Sequence, residues 1–171
     1  VFNVSGAFEA VASIKLAGFP IMALYFIVIA VAFGFIIHKT VYGRRVYAVG
    51  GNPVAAEISG INVKRYRVSV FVIAGLLAGF CGVLLASRTI TGAPTAGESY
   101  ELDAIAAVVI GGVSMTGGRG RALGVVIGAL MIAVIGNGLD ILGIDANFQK
   151  VVKGAIIVLA VLLDVKARRR K

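Results

Sequence analysis

Few side chains in this 171-residue sequence could carry out chemistry. It has one histidine, His38, and one cysteine, Cys81. No second histidine, cysteine or carboxylate stands near His38 at metal-ligand spacing, and a single histidine at the edge of an apolar run gives no Ser-His-Asp set, so His38 is expected to anchor an interface. Cys81 lies within an apolar run and is expected to pack as a small side chain. The sequence therefore predicts no metal site and no enzyme.

Two other features resemble sites. Glu98, Glu101 and Asp103 could supply a pair of carboxylates, but they lie beside water, which favours a solvated rim over a catalytic pair. Two glycine clusters, 48–53 and 111–121, invite comparison with phosphate-binding loops. Neither ends in Gly-Lys-Ser/Thr and neither follows a strand in a βαβ unit. No cofactor is expected in this chain, and any ATP must be bound by another protein.

The elements that position these residues are apolar. The composition is 59% hydrophobic and only 15% charged. Uncharged runs of about 15 to 21 residues cover, or nearly cover, the roughly 30 Å hydrocarbon layer of a membrane. This pattern predicts an all-α integral membrane protein forming a single transmembrane region over residues 1–171. The five predicted spans are 17–37, 68–87, 104–118, 122–139 and 148–165.

A moderately polar stretch, 1–16, precedes the first span. It shows neither an initiating methionine nor a signal-peptide pattern. We therefore expect the chain to be truncated at its start.

The net charge of +9 reflects orientation rather than nucleic-acid binding. The cations stand mostly at the ends of apolar runs, without a basic stripe or interleaved aromatic residues. If 104–118 crosses the membrane, thirteen of the seventeen Lys and Arg residues lie on one side; if it turns back, the split is eight against nine. Because Lys and Arg gather in cytoplasmic loops, the sequence favours five crossings with a cytoplasmic C-terminus and basic tail, 166–171.

One connection, 39–67, is long, and long loops in compact domains are usually functional. Within it Asn52 is a good N-cap, Pro53 suits the first helical position and Gly60 supplies a stop. These residues predict a helix over 53–59. Such a helix is about 10 Å long and is marginal without a surface to pack on.

The side chains of this predicted helix are small. Ala55 and Ser59 stand four residues apart with Ala56 beside them, so the groove of another protein could approach the backbone closely. The alternative is a structural loop capped by a solvated helix. The residues alone do not decide between the two.

Glycine spacing predicts close helix packing. Gly75 and Gly79 form a small-xxx-small pair, which places the second span inside the bundle. The fourth span is expected to meet another backbone along Gly120, Gly124, Gly128 and Gly136. Lys150 and Lys153, near the outer end of the fifth span, are expected to extend to the lipid headgroups.

Two motifs identify a family resemblance. YGRRVYAVGGNPVAAEISGINV at 42–63 and APTAGESYELDAIAAVVIGGVSMTGGRGR at 93–121 closely resemble the membrane permease subunits of ribose-type ABC sugar importers. The resemblance continues to the C-terminus and, more weakly, back through the first span. It corresponds to about the second half of a usual family permease. The chain is therefore expected to be a fragment, a split gene product or a shortened version of a longer permease.

The resemblance implies a fold of the vitamin-B12-importer-like (type II) kind, in a bacterial cytoplasmic (inner) membrane. It also implies three partners: a cytosolic ABC ATPase that uses the ATP, an extracytoplasmic sugar-binding protein and a second permease subunit. The inner loop looks like the family's coupling helix, which contacts the ATPase. The positions matching that pattern are Gly50, Gly51, Asn52, Pro53, Ala55, Ala56, Ser59, Gly60 and Ile61.

The short third run predicts a second functional region. Fifteen residues of helix cover only about 22 Å, so the ends need shelter from protein or water. Tyr100, Glu101 and Asp103 at its outer end could hydrogen-bond a sugar in the pathway or contact the binding protein. Alternatively, they solvate the end of the helix.

The predicted function is transport of a monosaccharide, ribose or a similar pentose or hexose, by an ATP-driven importer. A branched-chain amino-acid ABC permease shares the architecture but is not expected to carry the 94–112 motif. A membrane scaffold that transports nothing has no need of a capped cytosolic helix. A secondary transporter is disfavoured, since no span carries a carboxylate at mid-membrane.

Overall fold

The computed structural model describes residues 15–16, 19–93 and 95–169. Seven helices follow a two-residue antiparallel strand pair in this part of the chain. The strands are β1 Lys15–Leu16 and β2 Phe19–Pro20, with Lys15 opposite Pro20. The helices are α1 Ile21–Lys39, α2 Val41–Gly51, α3 Pro53–Ile58, α4 Val63–Thr89, α5 Tyr100–Ile110, α6 Ala122–Ile141 and α7 Ala146–Arg169. The predicted polar stretch before residue 15 and the last two residues of the basic tail lie outside the described residues.

The all-α prediction is confirmed. Among the described residues, α1, α4 and α6 are long and apolar enough to cross a membrane. The first span was predicted over 17–37, but α1 begins at Ile21 because Pro20 takes the extended cap conformation, with φ −63° and ψ 131°. The helix α7 occupies the region of the fifth predicted span.

The third predicted span differs most from its prediction. Instead of covering 104–118, α5 begins at Tyr100 and ends at Ile110, eleven residues in all. Glycines stop the helix, since Gly112, Gly117 and Gly118 all have positive φ, between 73° and 89°. Only glycine adopts that conformation at little cost. The second half of the run is therefore an irregular connection, 111–121.

The core lies where α5, α6 and α7 pack together. Ala106, Ala107 and Ile132 are buried there. A Cβ added at Gly128 would collide with the carbonyl oxygen of Ala107, and one at Gly124 with the Gly111 carbonyl. The predicted close backbone approach is confirmed at these two glycines.

Two packing predictions fail in the described part of the chain. A Cβ added at Gly136, or at Gly75 or Gly79 of α4, would meet no described atom within 4 Å beyond its chain neighbours and the adjoining backbone of its own helix. The helix α4 is exposed along most of its length. Beyond its first turns it makes few contacts with α1. One of them is an edge-to-face contact of Phe80 with Tyr25, whose ring centroids are 5.7 Å apart. The small-residue pattern is present, but no described helix packs against it.

Candidate functional site

The short helix α3 has the frame that the sequence predicts. Asn52 Oδ1 accepts a hydrogen bond from the Ala55 N–H at 3.0 Å, and Pro53 occupies the first turn. The helix ends at Ile58, one residue earlier than predicted. Ser59 is its C-cap, and Gly60 follows with φ +80°. Ile61 then donates its N–H to the Ala56 carbonyl at 3.0 Å, which turns the chain toward α4.

One exposed stripe of α3 is apolar, although Glu57 of the same helix is exposed as well. Val54 is 65% exposed and Ile58 is 83% exposed, and their four-residue spacing puts them on one stripe. Sequence reasoning missed this pair, although its spacing on a helix outside the apolar runs was the available signal. Ala55 is exposed as predicted, but Ala56 is only 4% exposed. The Ala56 side chain therefore packs within this chain, and its contact with a partner stays a prediction.

Gly50 and Gly51, at the end of α2, pack against the connection 111–121. A Cβ on Gly50 would lie 2.9 Å from the Gly118 nitrogen, whereas one on Gly51 would lie 3.7 Å from the Gly118 Cα. In the other direction, a Cβ on Gly118 would lie 2.5 Å from the Gly51 Cα, and one on Gly117 would collide with the Gly50 carbonyl. We call these four residues the glycine clasp. The two backbones meet there, and a side chain is excluded at Gly50, Gly117 and Gly118 but not at Gly51.

Two side-chain hydrogen bonds flank the clasp. The Tyr47 hydroxyl donates to the Gly120 carbonyl at 2.7 Å, and His38 Nε2 accepts from the Ala122 N–H at 3.2 Å. The rings of His38 and Tyr47 stack, with centroids 6.5 Å apart. Ala122 is the first residue of α6, where backbone N–H groups lack intrahelical partners. His38 thus caps α6, a role that sequence reasoning missed when it treated this side chain as an interface anchor.

The clasp joins two parts of the chain that are far apart in sequence. On one side are α2 and α3; on the other is the connection between α5 and α6. The connection 111–121 therefore lies at the same end of the helices as the 39–67 loop. That placement is what a crossing third run requires, and a third run that turned back would put the connection at the opposite end.

The second predicted region, Tyr100, Glu101 and Asp103, does not form a cluster. Tyr100 and Glu101 are exposed, whereas Asp103 is paired with Lys153 of α7. Lys153 Nζ lies 2.7 Å from Oδ1 of Asp103 and donates a hydrogen bond to Oδ2 at 3.0 Å. The lysine side chain is 14% exposed, so it does not extend to headgroups as predicted. Because α5 packs on α7, Lys153 lies beside the Asp103 carboxylate and pairs with it.

The described residues bring few metal-binding or nucleophilic side chains together. In the described ranges, no three His, Cys, Asp or Glu side chains come together in a way that could hold a metal ion. Cys81 is exposed on α4 rather than packed. The geometry provides two features for contacts: an exposed apolar stripe on α3, and a close backbone contact between α2 and the connection 111–121.

Comparison with protein families shows which family the chain belongs to. The family described as "Branched-chain amino acid transport system / permease component" matches residues 1–161. The chain belongs to this family. With its long apolar helices, this makes it a multi-pass membrane protein of the permease family.

Several curated relatives of this chain are named for sugars. The ribose import permease protein RbsC of Bacillus subtilis is 52% identical over 149 residues, which are 87% of this chain and 46% of the relative. RbsC of Escherichia coli K12 is 46% identical, over 81% of this chain and 43% of the relative. The xylose transport system permease protein XylH of Haemophilus influenzae is 45% identical, over 90% and 41%.

The chain thus spans somewhat less than half the length of the curated relatives it matches. No solved structure matches it significantly. The resemblance to ribose-type permeases is confirmed.

Proposed function

We propose that this chain forms one half of the membrane permease of an ATP-driven importer of a monosaccharide, ribose or a similar pentose or hexose. The support is its similarity to permeases named for ribose and xylose, at 45–52% identity over most of the chain. The family description also names branched-chain amino acids, so an amino-acid importer is the second candidate.

The exposed stripe of α3 carries the proposal for how the importer is driven. Val54 and Ile58 are apolar side chains exposed on a helix of six residues. A helix that short is not stable by itself and gains from a partner groove that covers its apolar stripe. We assign that groove to a cytosolic ABC ATPase, which binds and hydrolyses the ATP. The remaining partners are an extracytoplasmic sugar-binding protein and a second permease subunit.

The glycine clasp then passes movement of α3 to the packed helices. Two backbones in direct contact leave little space to absorb a displacement, because protein interiors deform little. A shift of α2 and α3 would move the connection 111–121, and with it the adjoining ends of α5 and α6. Gly50 and Gly51, predicted as ATPase contacts, thereby act inside the permease.

The orientation follows from the charges. With α3 and the clasp in the cytoplasm, thirteen of seventeen cations lie on the cytoplasmic side of a bacterial inner membrane, and the C-terminus is there too. The connection 91–99 and the Asp103–Lys153 pair then lie toward the outside, where the binding protein docks.

A reconstitution experiment tests the function. A full-length permease containing this region, its ATPase and its binding protein are placed in proteoliposomes, and uptake of radiolabelled ribose, xylose and leucine is measured with and without ATP. ATP-dependent uptake of a sugar but not of leucine is the expected result. Uptake of leucine alone would favour the amino-acid importer, and uptake of nothing, by a correctly inserted complex, would favour the scaffold.

A further inference from the structure

A cavity of about 420 Å³ lies between α2 and the beginning of α4, beside the turn that follows α3. It is separate from the apolar stripe of α3 and from the clasp. Its lining combines arginine, tyrosine and serine side chains with the backbone of the turn. The lining residues are Tyr42, Arg45, Gly60, Ile61, Asn62, Arg65, Tyr66 and Ser69.

The polar groups of this cavity hold one another in place. Arg45 Nη1 donates to the Tyr66 hydroxyl at 2.9 Å, and the guanidinium carbon lies 5.9 Å from the centre of the Tyr66 ring. The Tyr42 hydroxyl lies 2.7 Å from Ser69 Oγ, and the Tyr42 and Tyr66 rings are 5.6 Å apart. The walls are therefore organised before any ligand arrives, which lowers the entropic cost of binding.

The charge of the cavity is uncompensated. Two arginines line it, Arg45 and Arg65, and within the described residues no carboxylate lies within 4.0 Å of either guanidinium. Glu57, the acid nearest in sequence, lines a different groove with Lys64 and Arg67. An anion is the ligand that such a site favours, and the planar guanidinium groups suit a phosphate in particular.

An apolar surface continues directly from the cavity along α4. Val72 and Leu76 stand three and seven residues beyond Ser69, on the same side of the helix, and are 55% and 70% exposed. A free phosphate would make no contact with this apolar surface, whereas the acyl chains of a phospholipid would pack against it. The tyrosines also match the residues found where a membrane meets water.

We propose that this cavity binds the headgroup of an anionic phospholipid, with its phosphate between Arg45 and Arg65 and its acyl chains along Val72 and Leu76. Basic pockets between transmembrane helices on the cytoplasmic side are suited to such lipids. The site lies one turn from α3, so a bound lipid steadies the base of the helix that carries the docking stripe.

Lipid binding to the purified chain tests the proposal. The chain is titrated in detergent with phosphatidylglycerol or phosphatidylcholine of the same acyl length, and bound lipid is counted by native mass spectrometry. We expect at least tenfold stronger retention of phosphatidylglycerol. The double variant Arg45→Gln, Arg65→Gln loses that preference, while Arg44→Gln, an exposed residue of the same helix outside the cavity, retains it. Equal retention of the two lipids, or equal loss in the control, overturns the proposal.

Two further arms identify the ligand. Tyr66→Phe removes only the hydroxyl that holds Arg45 and is expected to weaken phosphatidylglycerol retention several-fold, which keeps the test valid if the double variant misfolds. Inorganic phosphate that displaces the lipid at equal concentration would identify a free-phosphate site. Unchanged lipid retention with loss of ATPase copurification in the arginine variant would identify an acidic partner side chain. Either outcome overturns the lipid assignment.

Discussion

Gly50→Ala tests the glycine clasp most directly, because Gly51 provides a matched control one residue away. Both glycines lie in the last turn of α2, so each gains a similar helix propensity, about 0.5–1 kcal/mol, on replacement by alanine. They differ in the space available. The new methyl group meets the Gly118 nitrogen at 2.9 Å in Gly50→Ala, but has an ordinary contact at 3.7 Å in Gly51→Ala.

The size of the effect follows from that contact. The Gly118 backbone must move by several tenths of an ångström, and inserting a methyl group into a close-packed contact costs about 1–3 kcal/mol. This free-energy cost corresponds to about a 5- to 150-fold lower equilibrium constant for forming the contact between the two backbones. We expect Gly50→Ala to lower sugar uptake and substrate-stimulated ATP hydrolysis by about tenfold or more, while basal hydrolysis and copurification with the ATPase remain.

The assay is the proteoliposome system, with permease insertion and ATPase binding measured in parallel. Gly51→Ala is expected to transport normally. A second pair repeats the comparison from the other side. Gly118→Ala is expected to uncouple transport from ATP hydrolysis. Gly112→Ala is expected to transport normally: it shares the positive φ, but beyond its chain neighbours no described atom lies within 4 Å of the new methyl group. Equal effects within either pair would refute the reasoning, and loss of ATPase binding in Gly50→Ala would place that residue in the docking surface.

Three other predictions concern the docking stripe, the ion pair and the orientation. Val54→Asp and Ile58→Asp are each expected to abolish ATPase copurification without changing membrane insertion, because a charge cannot enter an apolar groove unpaired. Leu123→Asp places the same charge at an exposed position in the first turn of α6 and is expected to leave copurification unchanged. Asp103→Asn and Lys153→Met are each expected to destabilise the protein by about 1–3 kcal/mol in thermal unfolding, because each change leaves one partly buried charge unpaired. The double variant is expected to lose less stability than the sum of the two single variants. Additive losses would contradict the pairing. In a Cys81→Ala background, cysteines placed at the exposed positions 54, 58, 115 and 119 are expected to react with a membrane-impermeant reagent from the cytoplasmic side, and those at 95, 96 and 98 from the outside. Labelling of both sets from one side would contradict the orientation.

The amino-acid sequence by itself determined the features that depend on neighbouring residues. Apolar runs indicated membrane helices, and Asn52, Pro53 and Gly60 framed α3 to within one residue at its end. The close approach at Gly124 and Gly128 could also be predicted, because a glycine ridge is a property of one helix. The motifs were long enough to identify the family.

Only the tertiary structure decided which surfaces meet. It turned Ala56 inward and left Val54 and Ile58 exposed, it paired Asp103 with Lys153, and it brought the glycines of α2 against those after α5. Caps and helix periodicity act over about one turn, so they can be read from adjacent residues. The clasp and the ion pair join segments separated by whole helices, and their formation depends on how α5, α6 and α7 pack, which no local pattern encodes.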